Sequence, residues 1–205
     1  MSRKRAVIFI SGGGSNMETL IHAAGAADYP VAIATVFSDK AEAGGLAKAQ
    51  AAGIPTQVFP RRDYASKEAH EDAILAALAA IQPDILCLAG YMRLLSGRFI
   101  ALYAGRIVNI HPSLLPLFPG LHTHQRALDA GVKLAGCTVH LVTEGMDEGP
   151  ILAQAAVPVR EGDTAESLAA RVLKAEHRLY PLALARFADG ERGPCPPDDA
   201  MIISA

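Results

Sequence analysis

Residues 6–24, AVIFISGGGSNMETLIHAA, decide the fold. Five uninterrupted apolar residues, Ala6–Ile10, are too few for a core helix and suit a strand buried on both faces. Three glycines then turn the chain, and an amphipathic run from Met17 begins a helix. The same pattern recurs downstream. VAIATVFS (Val31–Ser38), TQVF (Thr56–Phe59), DILCLAG (Asp84–Gly90) and Arg106–Ile110 read as further strands. Between them lie helices over Ala43–Gly53, with Gly53 as C-cap, over Tyr64–Ile81, ending before Pro83, and over Leu94–Tyr103. Strands alternating with helices predict a parallel, doubly wound sheet.

Beyond residue 110 the texture changes. Thr123–Gly131 reads as a short helix. GCTVHLVTE and PILAQAAVPV are two strands joined only through Gly145–Gly149, too short for a helical crossover, so they should pair antiparallel. Thr164–Asp189 is a long amphipathic helix with Asp163 or Thr164 as N-cap. The expected class is therefore α/β: a doubly wound, mostly parallel Rossmann-like sheet, a C-terminal antiparallel strand pair and a long last helix. One domain is expected over 1–205, with halves at 1–110 and 111–190 and a Pro-rich tail at 191–205.

The bulk numbers exclude several classes. The chain has 205 residues, 51% hydrophobic and 20% charged, as in an ordinary globule. A net charge of -2 offers no electrostatic footprint for nucleic acid. Three separated cysteines, Cys87, Cys137 and Cys195, suit reduced thiols rather than a disulfide framework. The first apolar run is shorter than the roughly 7–15 residues of a signal peptide and the roughly 20 of a membrane span. A cytoplasmic, unanchored protein is expected.

Two stretches carry chemistry. SGGGSN sits where the first strand meets the first helix, where backbone N–H groups and the helix N-terminus favour an anion such as phosphate. It is neither a dinucleotide nor a P-loop fingerprint, and the plainer alternative is a tight turn with Ser15 or Asn16 capping the helix. The second stretch is VNIHPSLLPLFPG, Val108–Gly120. It places Asn109 and His111 at the carboxyl end of a buried strand, where open α/β sheets bind ligands. Residues two apart on an extended chain share a face, so amide and imidazole suit a carbonyl oxygen becoming an oxyanion, provided the strand continues through His111. The alternative is a histidine satisfied by local backbone. Asp147, in the acidic connection EGMDEG, can reach His111 if His140–Thr143 lies beside the Arg106–Ile110 strand; otherwise it belongs to a solvated loop. His111, His122, His124 and His140 raise the question of a metal. No HExxH, Cys/His pairing or dense carboxylate cluster accompanies them, and none is expected. No GxSxG elbow supports a serine hydrolase, and Ser113 is expected to bond local backbone.

Together, FISGGGSNMETLI, VFSDKAEAGGLAKAQAAGIPT, LAGYMRLLSGRF, YAGRIVNIHPSLLPLFPGLHTHQRAL, GCTVHLVTEGMDEGPILAQAAVPV and AEHRLYPL resemble the phosphoribosylglycinamide formyltransferase family, over about Val7–Gly190. NIHPSLLP with a downstream Asp loop marks the formyltransferase superfamily; SGGGSN and GLHTH narrow it. The resemblance implies transfer of a formyl group from 10-formyltetrahydrofolate to the amine of glycinamide ribonucleotide in purine (IMP) biosynthesis, with no metal. It implies Asn109, His111 (as imidazolium) and Asp147 as catalytic residues. It implies Gly14, Ser15, Asn16 and Glu176 for the ribonucleotide. For the folate it implies Lys67, Tyr91, Met92, Arg93, Leu94, Leu95, Asn109, Val142, Glu144 and Asp147. Residues 1–110 become the phosphate-binding half and 111–190 the catalytic and folate half. A monomer or homodimer is expected, with no nucleic-acid or membrane partner.

The sequence departs from the family pattern at Lys67, where an arginine is common, and at Glu148, where a glycine is common. A methionyl-tRNA formyltransferase would add a C-terminal nucleic-acid domain and a basic surface, and a formyltetrahydrofolate hydrolase an N-terminal regulatory domain. Neither is expected here. A non-catalytic folate or phosphosugar sensor would not need Asn109, His111 and Asp147 together.

Overall fold

The computed structural model describes residues 3–190, so the tail expected over 191–205 lies outside them. The class is α/β: a seven-stranded, mostly parallel sheet that includes one antiparallel pair, with a long last helix. Contacts divide the chain into two compact units, one ending at Val108 and one beginning at Asn109.

The first unit holds β1 (Lys4–Ile10), α1 (Ser15–Ala24), β2 (Val31–Ser38), α2 (Gly44–Ala51), β3 (Thr56–Val58), α3 (Lys67–Ile81), β4 (Ile85–Leu88) and α4 (Gly97–Leu102). Its strands run parallel in the order β3-β2-β1-β4. β1 is central, which is why Ala6 to Ile10 are all buried. Phe9 anchors an edge-to-face cluster with Phe37, Tyr91 and Phe99. Aromatic pairs in this geometry add about 0.5–1.5 kcal/mol beyond area burial.

Several helix ends differ from the sequence reading, and capping accounts for them. The third helix starts at Lys67 rather than Tyr64, because the Ser66 hydroxyl accepts from the Ala69 N–H and residues 61–63 form a 3₁₀ turn instead. The fourth starts at Gly97 rather than Leu94, with Ser96 accepting from the Phe99 N–H. Leu94 and Leu95 therefore lie in an irregular segment. The first helix is not capped by Ser15 or Asn16: Gly14 occupies the cap position at φ 69, and no side chain caps it. The C-cap of α2 is Ala52, and Gly53, at φ 74, follows it.

The second unit begins within β5 (Ile107–His111) and contains α5 (Thr123–Asp129), β6 (Leu134–Leu141), β7 (Ile151–Pro158) and α6 (Ala165–Ala188). β6 lies between β5 and β7, and β6 and β7 pair antiparallel as expected. α6 packs on both β6 and β7, and Leu168, Val172, Ala175 and Leu179 are among the residues it buries. Thr164 is its N-cap, closed by a capping box with Ser167. Asp163 instead grips Arg171 through two bonds of 2.7 and 2.8 Å. That pairing holds its carboxyl well below the usual range. Among the described residues no helix is long and apolar enough to cross a membrane.

Candidate active site

In the second unit β5 does continue through His111. Asn109 and His111 therefore share one face of the strand. Across the sheet, Thr138 and His140 share a face of β6 by the same rule. A register shift in the β6–β7 pairing falls between Val139 and His140. Such bulges re-aim a side chain at a strand end.

Four side chains form one chain of contacts. His111 Nδ1 lies 3.3 Å from Asp147 Oδ2, and His140 Nε2 lies 3.7 Å from Asp147 Oδ1. His140 Nε2 is also 3.1 Å from Asn109 Nδ2. The other ring nitrogen of His140 is 3.0 Å from the Leu141 carbonyl. A carbonyl only accepts, so His140 Nδ1 carries the hydrogen and Nε2 accepts from the Asn109 amide. Burial lowers the pKa of His140, against partial opposition from the Leu141 carbonyl and Asp147. His140 is thus a buried neutral acceptor. It orients the Asn109 carboxamide and leaves that amide a second N–H.

His111 meets different partners. Its Nδ1 faces the Asp147 carboxylate and its Nε2 lies 3.1 Å from the Phe118 carbonyl. Both are acceptors, so both contacts are satisfied only when each ring nitrogen carries hydrogen. The Gly120 N–H donates to Asp147 Oδ2 at 2.8 Å, so one carboxylate oxygen is fixed from two sides. His111 is 6% exposed and the Asp147 side chain 14%, which strengthens their attraction over that of a surface pair.

The loops that deliver these groups are held from below. Thr138, fully buried, accepts from the Leu115 N–H and from Gln154 Nε2 and donates to the Ser113 carbonyl. Ser113 donates to the Leu117 carbonyl at 2.6 Å, local backbone as expected. Phe118, His122 and Asp147 all adopt positive φ, between 54° and 58°, though none is glycine. Left-handed non-glycine residues concentrate where neighbouring structure over-determines them, frequently at functional sites. Gly149 closes the acidic connection: a Cβ there would lie 1.7 Å from the Leu141 carbonyl oxygen. Glu148 folds its side chain over Gly145 within the same turn.

His124 stands near His111. Burial lowers its pKa, His111 adds to that, and its Nε2 is buried without a hydrogen-bond partner. Among the described residues no group of three or more His, Cys, Asp or Glu is placed to hold a metal ion. Val142 and Glu144 lie in the connection after β6, the first half-buried and the second exposed. Glu176 is buried on α6.

In the first unit, the glycine turn is open above Gly12 and Gly13, where an added Cβ would meet nothing within 4 Å. From the other side α2 approaches: a Cβ on Gly14 would lie 3.0 Å from the Gly45 Cα, and the Gly45 N–H donates to the Gly12 carbonyl. Gly14 is thus required twice, for its positive φ and for the close backbone. No side chain caps the first turn of α1, and a helix N-terminus favours an anion. Lys67 opens α3, its ammonium 3.9 Å from Glu71. Tyr91 packs on Phe9, and burial pushes its hydroxyl pKa up. Met92, Arg93 and Leu94 are exposed and Leu95 half-buried.

In the sequence His140 marks the strand beside that of Asn109 and counts among four histidines considered for a metal, and neither it nor Thr138 is singled out as a partner in the site. Their signal was present: two polar residues two apart in an otherwise apolar strand.

The profile of the formyl transferase family matches residues 4–184. Phosphoribosylglycinamide formyltransferase of Escherichia coli (strain K12) is 45% identical over 184 residues, covering 90% of this chain and 87% of that protein. A crystal structure of phosphoribosylglycinamide formyltransferase from Brucella melitensis superposes with a TM-score of 0.89 at 82% identity, over 91% of this chain and 96% of that one. The trifunctional purine biosynthetic protein adenosine-3 of Bos taurus is 47% identical over 188 residues, 92% of this chain. The chain spans 19% of that bovine protein's length.

Proposed function

The chain belongs to the formyl transferase family, and on that premise we propose that it transfers the formyl group of 10-formyltetrahydrofolate to the amine of glycinamide ribonucleotide in purine biosynthesis. The observation that carries this is the gathering of Asn109, His140, Asp147 and His111 at the end of β5, with the amide on His140 and the carboxylate on His111. It supplies an oriented amide donor and a carboxylate-paired imidazole, the two groups that acyl transfer to an amine requires.

The amine nitrogen attacks the formyl carbon, and the carbonyl oxygen takes up the electron pair. Asn109 stabilises that oxyanion with the N–H not committed to His140. His111 stabilises it as well and supplies a proton to the departing folate nitrogen, while the attacking amine loses one. Asp147 holds the His111 ring and assists the proton movement through water. Gly14, Ser15 and Asn16 take the ribonucleotide phosphate, and Glu176 also contacts the ribonucleotide. Lys67, Tyr91, Met92, Arg93, Leu94 and Leu95 are assigned to the folate, as are Val142, Glu144 and Asp147 around its ring. The 1–205 chain works as one formyltransferase domain in the cytoplasm, as a monomer or homodimer.

The test is an assay of deformylated folate with the ribonucleotide or with water alone. Turnover that requires the ribonucleotide is expected. Turnover in water alone would indicate a hydrolase, and binding without turnover a sensor; either result refutes the assignment.

A further inference from the structure

The irregular segment between β4 and α4 combines two features that rarely coexist. Met92 and Leu94 are large apolar side chains left 62% and 67% exposed. The backbone carrying them belongs to no helix or strand, so no ladder of hydrogen bonds holds it in place. Unrestrained, such a segment would fold its apolar side chains onto the nearest apolar surface. Two buried carboxylates grip it instead. Asp39, 3% exposed just past β2, accepts from the Ser11 hydroxyl at 2.5 Å and from Arg93 Nε at 2.7 Å. The same Ser11 oxygen accepts from the Met92 N–H at 2.8 Å. Glu71, 5% exposed on α3, accepts from the Ser96 N–H at 2.8 Å and from the Ser96 hydroxyl.

We infer that Asp39 and Glu71 are positioning residues for the folate: they pin the two ends of the 92–96 segment and so hold Met92 and Leu94 open as a preformed apolar edge. The inference rests on the reading of Met92–Leu95 as part of the folate site. Each oxygen of each carboxylate has a partner, which a buried charge requires. The pins act on main chain as well as side chain: directly at Ser96, through Ser11 at Met92. Bonds to an ionised acceptor are about twice as strong as neutral ones, so charge here places a backbone. Pairing through Nε also leaves both terminal nitrogens of Arg93 without a hydrogen bond among the described residues, on a side chain 46% exposed. A ligand that meets a preformed edge avoids the ordering cost of making one.

The experiment compares Asp39→Asn, Glu71→Gln and Ser11→Ala with Leu94→Ala in the full chain. It reads KM for formyl-folate, KM for the ribonucleotide, kcat, and amide exchange at Met92 and Ser96. Each pin variant is expected to raise the formyl-folate KM about fivefold or more, with the ribonucleotide KM within about twofold and kcat little changed. Exchange should quicken about tenfold at Met92 in Asp39→Asn and Ser11→Ala, and at Ser96 in Glu71→Gln. Ser11→Ala removes no charge and serves if Asp39→Asn does not fold. Leu94→Ala separates the two ideas. If it raises the formyl-folate KM while the pin variants do not, the positioning role is wrong and the folate reading stands. If Leu94→Ala also leaves that KM unmoved, the folate reading of the segment fails and the inference with it. Equal rises in both KM values would mean general damage and would overturn the positioning role.

Discussion

Replacing Asn109 with alanine should have two separable consequences, because its carboxamide uses one N–H structurally and, in the proposed mechanism, the other at the oxyanion. The structural N–H goes to His140 Nε2 at 3.1 Å. His140 is 2% exposed, and its other nitrogen is committed to the Leu141 carbonyl. Asn109→Ala therefore strands a buried acceptor, at about 1–3 kcal/mol. For a chain of this size that lowers the melting temperature by roughly 2–12 °C, at about 2–4 °C per kcal/mol. The loss of the oxyanion donor should cost about 2.7–4 kcal/mol of transition-state stabilisation, a ~10²–10³-fold drop in kcat. Adding His140→Leu removes the stranded acceptor. The double variant should recover most of the lost stability and none of the lost turnover. Thermal melts and steady-state kinetics on both single variants and the double complete the cycle. Wild-type-like turnover in Asn109→Ala would refute the oxyanion role. A double variant less stable than Asn109→Ala would refute the assignment of His140 as a neutral acceptor.

Asp147→Asn should cut turnover by about 10²-fold or more and alter the pH–rate profile, since the carboxylate that faces His111 Nδ1 is lost; a profile identical to the parent's would count against the coupling. His140 also predicts how stability depends on pH. Its folded pKa lies below the ordinary 6.5, so below that pH the unfolded chain binds a proton that the folded chain refuses. Stability should fall as pH drops from about 7.5 through 6.5 toward the folded value and level off beneath it. Urea midpoints for His140→Leu should show a shallower slope, with the remainder owed in part to His124, whose pKa is shifted the same way; an unchanged slope would argue that His140 binds its proton alike in the folded and unfolded chain. Gly149→Ala should disturb the Asp147 turn, because the new Cβ would lie 1.7 Å from the Leu141 carbonyl oxygen. Kinetics should then show at least a tenfold loss of kcat, and a fully active Gly149→Ala would show that the turn tolerates displacement.

Much of the fold was legible because it is written at short range. Buried parallel strands need continuous apolar runs, and those of β1 and β2 stand out in the sequence. Helix starts were less legible, although their determinants are local too. Ser66 and Ser96 cap α3 and α4, while the apolar pattern continues upstream of both and pulls the expected boundary with it. The residues alone leave Asn109, His111 and Asp147 open between a reacting site and local structure, since a histidine can be satisfied by backbone and an acidic loop by solvent; the family resemblance is what assigns them a catalytic role.

Sequence by itself thus determined the order of strands and helices, the antiparallel return of the last pair and the residue types gathered at the candidate site. Tertiary structure alone decided what those residues do to one another. Asn109 and His140 are 31 positions apart, Arg93 and Asp39 54 apart. Which atoms meet depends on strand register, on the shift beside His140 and on left-handed turns at Phe118 and Asp147. The physical reason is that periodicity reports which face a residue occupies, whereas hydrogen-bond direction, tautomer and the pairing of buried charge depend on atoms brought together only when distant segments pack.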